Sequence, residues 1–161
     1  MGIAISSIGI ITSYCVETTA GNRPSSGYTK LPDIKSIPAT DSSPNTADAS
    51  TFDNTEFTTH IKLLKDLGGA LPLTANFTNE LYTAWTAMCT AAATGMAANP
   101  SKRLWICFDI PGFSNSTYLP IEPSKMGMPE VSANSLIETT LYITPIGEPE
   151  FAADPTYASG T

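Results

Sequence analysis

The sequence predicts a mainly β fold, an antiparallel β domain with one flanking α-helix, on three observations. Only 14% of the 161 residues are charged, whereas Ser, Thr, Ala, Gly and Pro are abundant, a balance that favours strands and turns. Several segments alternate apolar with polar residues, as strands do when one face lies in a core. One segment instead spaces its apolar residues as a helix does. The length and the 42% hydrophobic content suit a single domain over residues 1–161.

The first 36 residues are expected to give one or two strands and then a connecting loop. Residues 1–16 alternate in part, and residues 17–36 contain the turn-forming stretch GNRPSSG. No Lys or Arg precedes Arg23, so the positive start of a signal peptide is missing. No apolar run approaches the about 20 residues that a membrane span needs. We therefore expect a soluble protein without membrane insertion.

Residues 36–59 are predicted to form a long loop or arm. From Ser36 to Thr59 there are four acids, no basic residue, two prolines and ten Ser or Thr, so little apolar surface is available for burial. A loop of that length inside a compact domain is usually functional or disordered. If the segment is an arm, we expect it to contact something outside its own domain.

Residues 57–77 are predicted to form a β-hairpin. Apolar and polar residues alternate over 57–63 and again over 71–77. Gly68 and Gly69 lie between the two runs and provide the positive-φ freedom that a turn needs. In a helix interior each would cost about 1 kcal/mol, so we favour the hairpin over a continuing helix.

One amphipathic helix follows, with Thr78 or Asn79 as its cap and with Gly95, Asn99 and Pro100 as its stop. Its apolar residues recur at intervals of three, four and seven and share one face: Leu81, Trp85, Met88, Cys89, Ala92 and Met96. We interpret this stripe as core packing and not as a ligand site.

Two further strands are predicted at 103–110 (RLWICFDI) and 136–146 (LIETTLYITPI), because both alternate. The segment between them carries several breakers and is expected to hold two shorter strands. The tail at 147–161 is acidic, and no Lys or Arg follows Lys125. This imbalance indicates a solvated acidic face or, alternatively, a surface that repels another polyanion.

The sequence offers no positive sign of catalysis, of a cofactor or of nucleic-acid binding. A net charge of -7 with eight basic residues argues against a protein that grips phosphates. The three cysteines have neither CxxC nor Cys/His spacing and are expected to be buried free thiols in a reducing cytoplasm. His60 is the single histidine and lies on the polar side of its alternating run. We predict no catalytic, cofactor-binding or metal-binding residue.

The order of these features resembles the tail tube (major tail) proteins of long-tailed bacteriophages. The resemblance covers about residues 30–150 and rests on ASTFDNTEF, LLKDLGGALPLTANF, a Trp-bearing helix, WICFDIPG and LIETTLYITPIGEP, in that order. The family pattern has a Thr-Leu-Asp-like step and a GLKDxGG-like turn. The residues at the matching places are Thr51, Phe52, Asp53, Leu64, Lys65, Asp66, Gly68 and Gly69.

This resemblance implies an antiparallel β-sandwich or partly closed barrel with one flanking helix. It also implies self-assembly into stacked rings, usually hexameric, that form a hollow tube through which DNA passes without specific binding. The implied partners are further copies of the chain and the terminator, tape measure and baseplate proteins. The implied location is the virion, after synthesis in the host cytoplasm. We further expect acids to outnumber bases on the lumen wall.

Three other interpretations stay open on the sequence alone, and the last in order is an enzyme whose site is assembled from distant loops. A tail terminator or a tube-initiating protein could share the fold but would cap a tube without polymerising along it. A carbohydrate-binding β-sandwich would need exposed aromatic platforms, for which Trp105 is the residue to examine. We expect Trp105 to pack against the helix or a second sheet.

Overall fold

The computed structural model describes residue 4 and residues 8–53, 56–65 and 67–159. Among these residues the protein is mainly β with one helix. The chain divides into two compact units: a larger one, residues 1–38 with 70–161, and a smaller one, residues 39–69. The larger unit is a curled open sheet, a half-barrel with a flanking helix. The predicted fold class is therefore confirmed.

The elements in chain order are β1 (Ile11–Val16), β2 (Ser26–Leu31), β3 (Ile34–Ser36), β4 (Thr46–Asp48), β5 (His60–Lys62), β6 (Leu71–Asn76), α1 (Asn79–Ala97), β7 (Leu104–Asp109), β8 (Ser116–Pro123), β9 (Glu138–Pro145), β10 (Glu150–Ala152) and β11 (Thr156–Tyr157). The sheet of the larger unit runs β11-β2-β1-β7-β8-β9-β6-β3, and β10 also pairs with β8. All of its pairs are antiparallel except β11 with β2. The smaller unit contains the β4–β5 pair.

Within the half of the sheet formed by β2, β1, β7 and β8, strands β7 and β8 are buried on both faces over most of their length. Helix α1 packs on these four strands. A second cluster contains buried Tyr28, Trp105, Cys107 and Tyr118, with Ala152 and Tyr157 of the C-terminal segment packed against it. The residues of β7 from Leu104 to Phe108 are consequently buried, although successive side chains point to opposite faces of the sheet.

Strands β6 and β9 bury one face and expose the other, as their alternation predicts. The buried residues are Leu71, Leu73, Ala75, Thr139, Leu141 and Ile143. The register places Pro72 opposite Tyr142 and Thr74 opposite Thr140 on the other face. Strands β7 and β9 thus confirm the two strands predicted at 103–110 and 136–146.

The predicted helix is also confirmed, and Thr78 is its cap. The Leu81 N–H donates to Thr78 Oγ1 at 3.1 Å, and Thr78 Oγ1 donates to Asp33 Oδ2 at 2.6 Å. Leu81, Trp85, Met88 and Ala92 are buried as expected. Met96 is 46% exposed, so its assignment to the buried face is wrong.

Gly95 takes the inward position at the end of the helix instead of Met96. A Cβ atom built on Gly95 would lie 2.8 Å from the Lys102 carbonyl oxygen and 3.0 Å from Val16 Cγ1. The chain after the helix returns so close that only a glycine fits there without displacement.

The hairpin predicted for residues 57–77 is wrong. The run 57–63 contributes only β5, which pairs with β4, whereas β6 pairs with β9 and β3. The two alternating runs belong to different compact units, so Gly68 and Gly69 connect units instead of closing a hairpin. The loop predicted for 36–59 likewise contains strand β4.

Three other segments differ from their predictions. Residues 17–36 hold β2 and β3, because pairing with β1 and burial of Tyr28 and Leu31 outweigh the weak local pattern. The two short strands expected between β7 and β9 are one strand, β8, and the acidic tail contributes β10 and β11. Of the predicted N-terminal strands, β1 is present. Residues 1–3 and 5–7 lie outside the described residues.

Pro120 explains why β8 looked interrupted in the sequence. Its carbonyl accepts a hydrogen bond from the Ile146 N–H at 2.9 Å, so its missing N–H falls on the same edge of the strand. That edge faces the break between β9 and β10, where no ladder bond is required. A proline is therefore tolerated within this strand.

Candidate functional site

The smaller unit is built around an antiparallel ribbon, β4 with β5. Thr46 lies opposite Lys62 and Asp48 opposite His60. Backbone hydrogen bonds extend the ladder at both ends, from the Leu63 N–H to the Asn45 carbonyl and from the Ala49 N–H to the Thr59 carbonyl, each at 2.7 Å. The ribbon therefore has more pairing than its three-residue strands suggest.

The connection between β4 and β5 begins with a turn made by Asp48 and Ser50. The Ser50 N–H donates to Asp48 Oδ1 at 2.8 Å, and the Thr59 N–H donates to Ser50 Oγ at 2.8 Å. These are the side-chain bonds with which Asp and Ser hold turns. Hydrogen bonds from the Ser50 side chain and backbone hold the pKa of Asp48 below its ordinary value. Both residues are therefore held by local geometry.

The main surface feature of the smaller unit is a set of large apolar side chains that lack cover. No described residue of 39–69 is buried. Leu64 is 89% exposed, and Phe52 is fully exposed. We use the name ribbon apolar set for the exposed large apolar residues of this unit: Phe52, Phe57, Ile61, Leu63 and Leu64. Such a concentration is typical of a surface that another molecule covers.

The structure separates the two parts of the predicted assembly motif. Residues 51–53 lie in the connection between β4 and β5, whereas Leu64 and Lys65 follow β5 at the other end of the ribbon. The Leu64 carbonyl accepts a hydrogen bond from Asn45 Nδ2 at 3.0 Å. Asp66 lies outside the described residues.

Gly68 and Gly69 have φ values of +89° and +83°. Their predicted positive-φ role is confirmed, although they do not close a hairpin.

The sheet of the larger unit has a short strand at each of its two edges, β3 and β11. Strand β3 pairs with β6 through an irregular register, and β11 pairs over Thr156 and Tyr157 with β2. The outer edges of terminal strands carry N–H and C=O groups without a ladder partner in the sheet. Sheet edges of this kind can be extended by a strand from another chain.

A buried carboxylate, which no pattern in the sequence indicates, ties β1 to β7. Glu17 has no exposed side-chain surface, and its Oε1 accepts from Arg103 Nε and Trp105 Nε1, both at 2.9 Å. Its Oε2 accepts from the Gly21 N–H at 2.8 Å and the Arg103 N–H at 3.1 Å. Burial alone would raise the pKa of Glu17, but these hydrogen bonds outweigh it and lower the pKa. All four bonds come from the chain itself, so we assign the carboxylate a structural role.

Both tryptophans are buried and donate hydrogen bonds. Trp105 is buried, as expected, but it packs in a cluster with Tyr28 and Tyr118 of its own sheet, and among the described residues neither the helix nor a second sheet contributes to this cluster. Trp85 Nε1 donates to the Ser124 carbonyl at 2.8 Å. Neither indole is available as a platform for a sugar ring.

The remaining polar candidates stay apart from one another. His60 is exposed on β5, as expected. All three cysteines are free, with Cys107 buried and the other two half-buried. Within residues 8–53, 56–65 and 67–159, no group of His, Cys, Asp and Glu could hold a metal ion.

A groove of about 500 Å³ follows α1, and Lys125 is the one charged residue among those that line it.

The described part of the chain contains no helix that could span a membrane. Comparison with protein-family models gives no match, and none of the curated proteins matches this chain.

Proposed function

We propose that this chain is a structural virion protein. Copies of it assemble into stacked, hexameric rings that form the tube of a phage tail, through which DNA is delivered. It is made in the host cytoplasm and acts without catalysis or a cofactor. The terminator, tape measure and baseplate proteins are its other partners. The proposal rests on the order of sequence motifs and on the surface of the smaller unit.

The observation that carries the proposal is the ribbon apolar set. Burying a side chain such as Phe or Leu contributes about 1.5 to 3 kcal/mol, and here Phe52 and Leu64 leave that contribution unused within the chain. Contact with a second copy would bury these residues and would order the Ser- and Thr-rich connection between β4 and β5. A structural protein that acts by self-assembly needs surfaces of this kind.

The fold class adds support, because the resemblance implies the mainly β arrangement with a flanking helix that is observed. The ends of the open sheet at β3 and β11 provide edges at which copies could continue the sheet around a ring. Self-pairing of such edges is a hazard for a monomer but is useful in a closed ring.

The exposed face of β8, β9 and β6 is our candidate for the lumen wall. Glu122 lies opposite Thr144, and Asn76 opposite Glu138, so both acids share this face with Thr140 and Thr144 of β9. Lys35 of the neighbouring strand β3 pairs with Glu138. A wall of hydroxyls and acids would make few phosphate contacts and would let DNA slide.

The test compares assembly of the wild-type chain with that of the Phe52→Ser, Leu64→Ser double variant. We expect the wild type to form rings or tubes in negative-stain electron microscopy and the double variant to stay as single copies. Met128→Ser is the matched control, because Met128 is 77% exposed but lies in the larger unit. The control should assemble.

All three proteins should unfold at similar temperatures, because the substituted residues bury little surface within the chain. A double variant that assembles as the wild type does would contradict the role of the ribbon apolar set. Rings that form but never stack would favour a terminator or tube-initiating protein.

A further inference from the structure

The C-terminal segment Glu150–Ala158, which we call the strap, spans four strands of the sheet. At its start β10 pairs with β8, with Glu150 opposite Tyr118. At its end β11 pairs with β2, with Tyr157 opposite Tyr28. Since β1 and β7 lie between β2 and β8 in the sheet, the strap crosses from one side of this group to the other.

The strap covers a groove built for an extended segment. The groove floor holds Tyr28, Trp105, Cys107 and Tyr118, all buried, and Ala152 and Tyr157 of the strap pack against it. If the strap left this position, these side chains would lose the cover that makes them core residues. The groove therefore requires an occupant with the shape of the strap.

Polar contacts fix the register of the strap in this groove. Tyr118 OH donates to the Ala153 carbonyl at 2.6 Å, and Ser116 Oγ donates to Asp154 Oδ1 at 2.8 Å. The Tyr157 OH donates to Asp109 Oδ2 at 2.7 Å. Two backbone bonds hold β11, from the Thr156 N–H to the Ser25 carbonyl and from the Ala158 N–H to the Tyr28 carbonyl.

Each of these contacts joins the strap to residues far away in the sequence. An identical strap on a second copy can make every one of them equally well. Exchange of an identical element between copies is therefore a low-cost route to association, because no contact is lost.

The connection into the strap is short and tightly packed. Ile146 still bonds to the Pro120 carbonyl of β8, and Glu150 is opposite Tyr118, so residues 147–149 interrupt an otherwise continuous strand. A Cβ atom on Gly147 would lie 2.7 Å from Pro120 Cγ. Pro149 biases the preceding residue toward extended backbone. Short hinges under such constraint favour exchange of the element that they connect.

We propose that the groove over Tyr28 and Tyr118 accepts the strap of a second copy of this chain, and that copies exchange straps when they associate. This inference goes beyond the proposed function, because the ribbon apolar set and the sheet edges could join copies without any exchange. It also does not require that the association be a tube.

The experiment uses two full-length variants, Ser26→Cys and Thr156→Cys, both also carrying Cys15→Ser and Cys89→Ser. Ser26 and Thr156 are opposite each other in the β2–β11 register and both are exposed. Paired strands lie about 4.8 Å apart, which is within the Cα separation that a disulfide spans. The two chains are unfolded together, refolded at high concentration and oxidised. If straps exchange, the mixture should give at least five times as much disulfide-linked dimer on a non-reducing gel as either chain alone.

Two controls test disulfide formation within one chain and disulfide formation by random collision. A single chain carrying both Ser26→Cys and Thr156→Cys, refolded at high dilution, should close its disulfide within the chain. The pair Ser26→Cys with Thr144→Cys is the matched control for random collision, because Thr144 is exposed on β9, away from β2.

A mixture that gives no more dimer than this control pair, while the double variant closes internally, would overturn the exchange. If the single chain with both Ser26→Cys and Thr156→Cys fails to form its disulfide, the placement of the strap in the groove is refuted. Tube formation is scored separately by microscopy, so loss of exchange and loss of the proposed function are distinguishable.

Discussion

The buried carboxylate of Glu17 allows the sharpest prediction about stability. Replacing Glu17 with Gln keeps the size of the side chain but turns one acceptor oxygen into an NH₂ group. Each carboxylate oxygen accepts two N–H donors, so the variant leaves two donors facing another donor. At about 1 to 3 kcal/mol for each unsatisfied donor, the cost is roughly 2 to 6 kcal/mol.

The exposure of Arg103 narrows this range. Its side chain is 33% exposed, so water can hydrate part of the guanidinium once the carboxylate is gone. Trp105 Nε1 and the Gly21 N–H belong to a network closed around the carboxylate and have less access to such compensation. We therefore expect Glu17→Gln to lower the free energy of unfolding by about 3 kcal/mol, the low end for breaking a buried pair.

The assay is urea unfolding followed by tryptophan fluorescence, with Glu150→Gln as the matched control. Glu150 also pairs with an arginine, Arg23, at 2.9 Å, but its side chain is 51% exposed. Such exposed pairs contribute at most about 1 kcal/mol. If Glu17→Gln and Glu150→Gln lower stability equally, by less than about 1 kcal/mol, the structural role assigned to Glu17 is refuted.

Three further predictions concern the same core. Because the pKa of Glu17 is lowered in the folded state, the contribution of Glu17 to stability is full above the ordinary Glu pKa of 4.5 and is lost as pH falls through the lowered pKa. Urea titrations from pH 6 to pH 3 should therefore show a shrinking difference in stability between the wild type and Glu17→Gln. A difference that stays constant over this range would contradict the prediction. Gly95→Ala should lower stability by about 1 to 3 kcal/mol despite the better helix propensity of Ala, because its Cβ meets the Lys102 carbonyl. Gly127→Ala, where nothing lies within 4 Å, is its control and should change stability by less than about 1 kcal/mol in the same assay. Thr78→Ala removes the helix cap and should cost about 1 to 2 kcal/mol in thermal unfolding, whereas Thr78→Ser should recover most of it.

The parts of the fold with a strong local pattern could be predicted from the sequence. Helix α1 and strands β6, β7 and β9 each combine a clear period with enough apolar residues to fill a core face. Strands β2, β10 and β11 carry no such pattern, because partners elsewhere in the sheet and not their own residues hold them in place. Local periodicity carries no information about such partners.

The candidate sites were predictable to a smaller extent. Gly68 and Gly69 could be assigned positive φ, because glycine is the residue that such backbone favours. The alternation of 57–63 predicts a strand, but it cannot show that Phe57 and Ile61 lack cover. Glu17 looks like an ordinary polar residue after a strand. Its burial follows from donors 86 and 88 residues away, which only the folded sheet brings together.

The proposed function requires that copies of this chain build a tube. Negative-stain electron microscopy of the purified full-length protein across a concentration series tests it most directly. We expect stacked rings at intermediate concentration and hollow tubes of uniform diameter at high concentration. Single copies at every concentration, with no rings and no tubes, would contradict it.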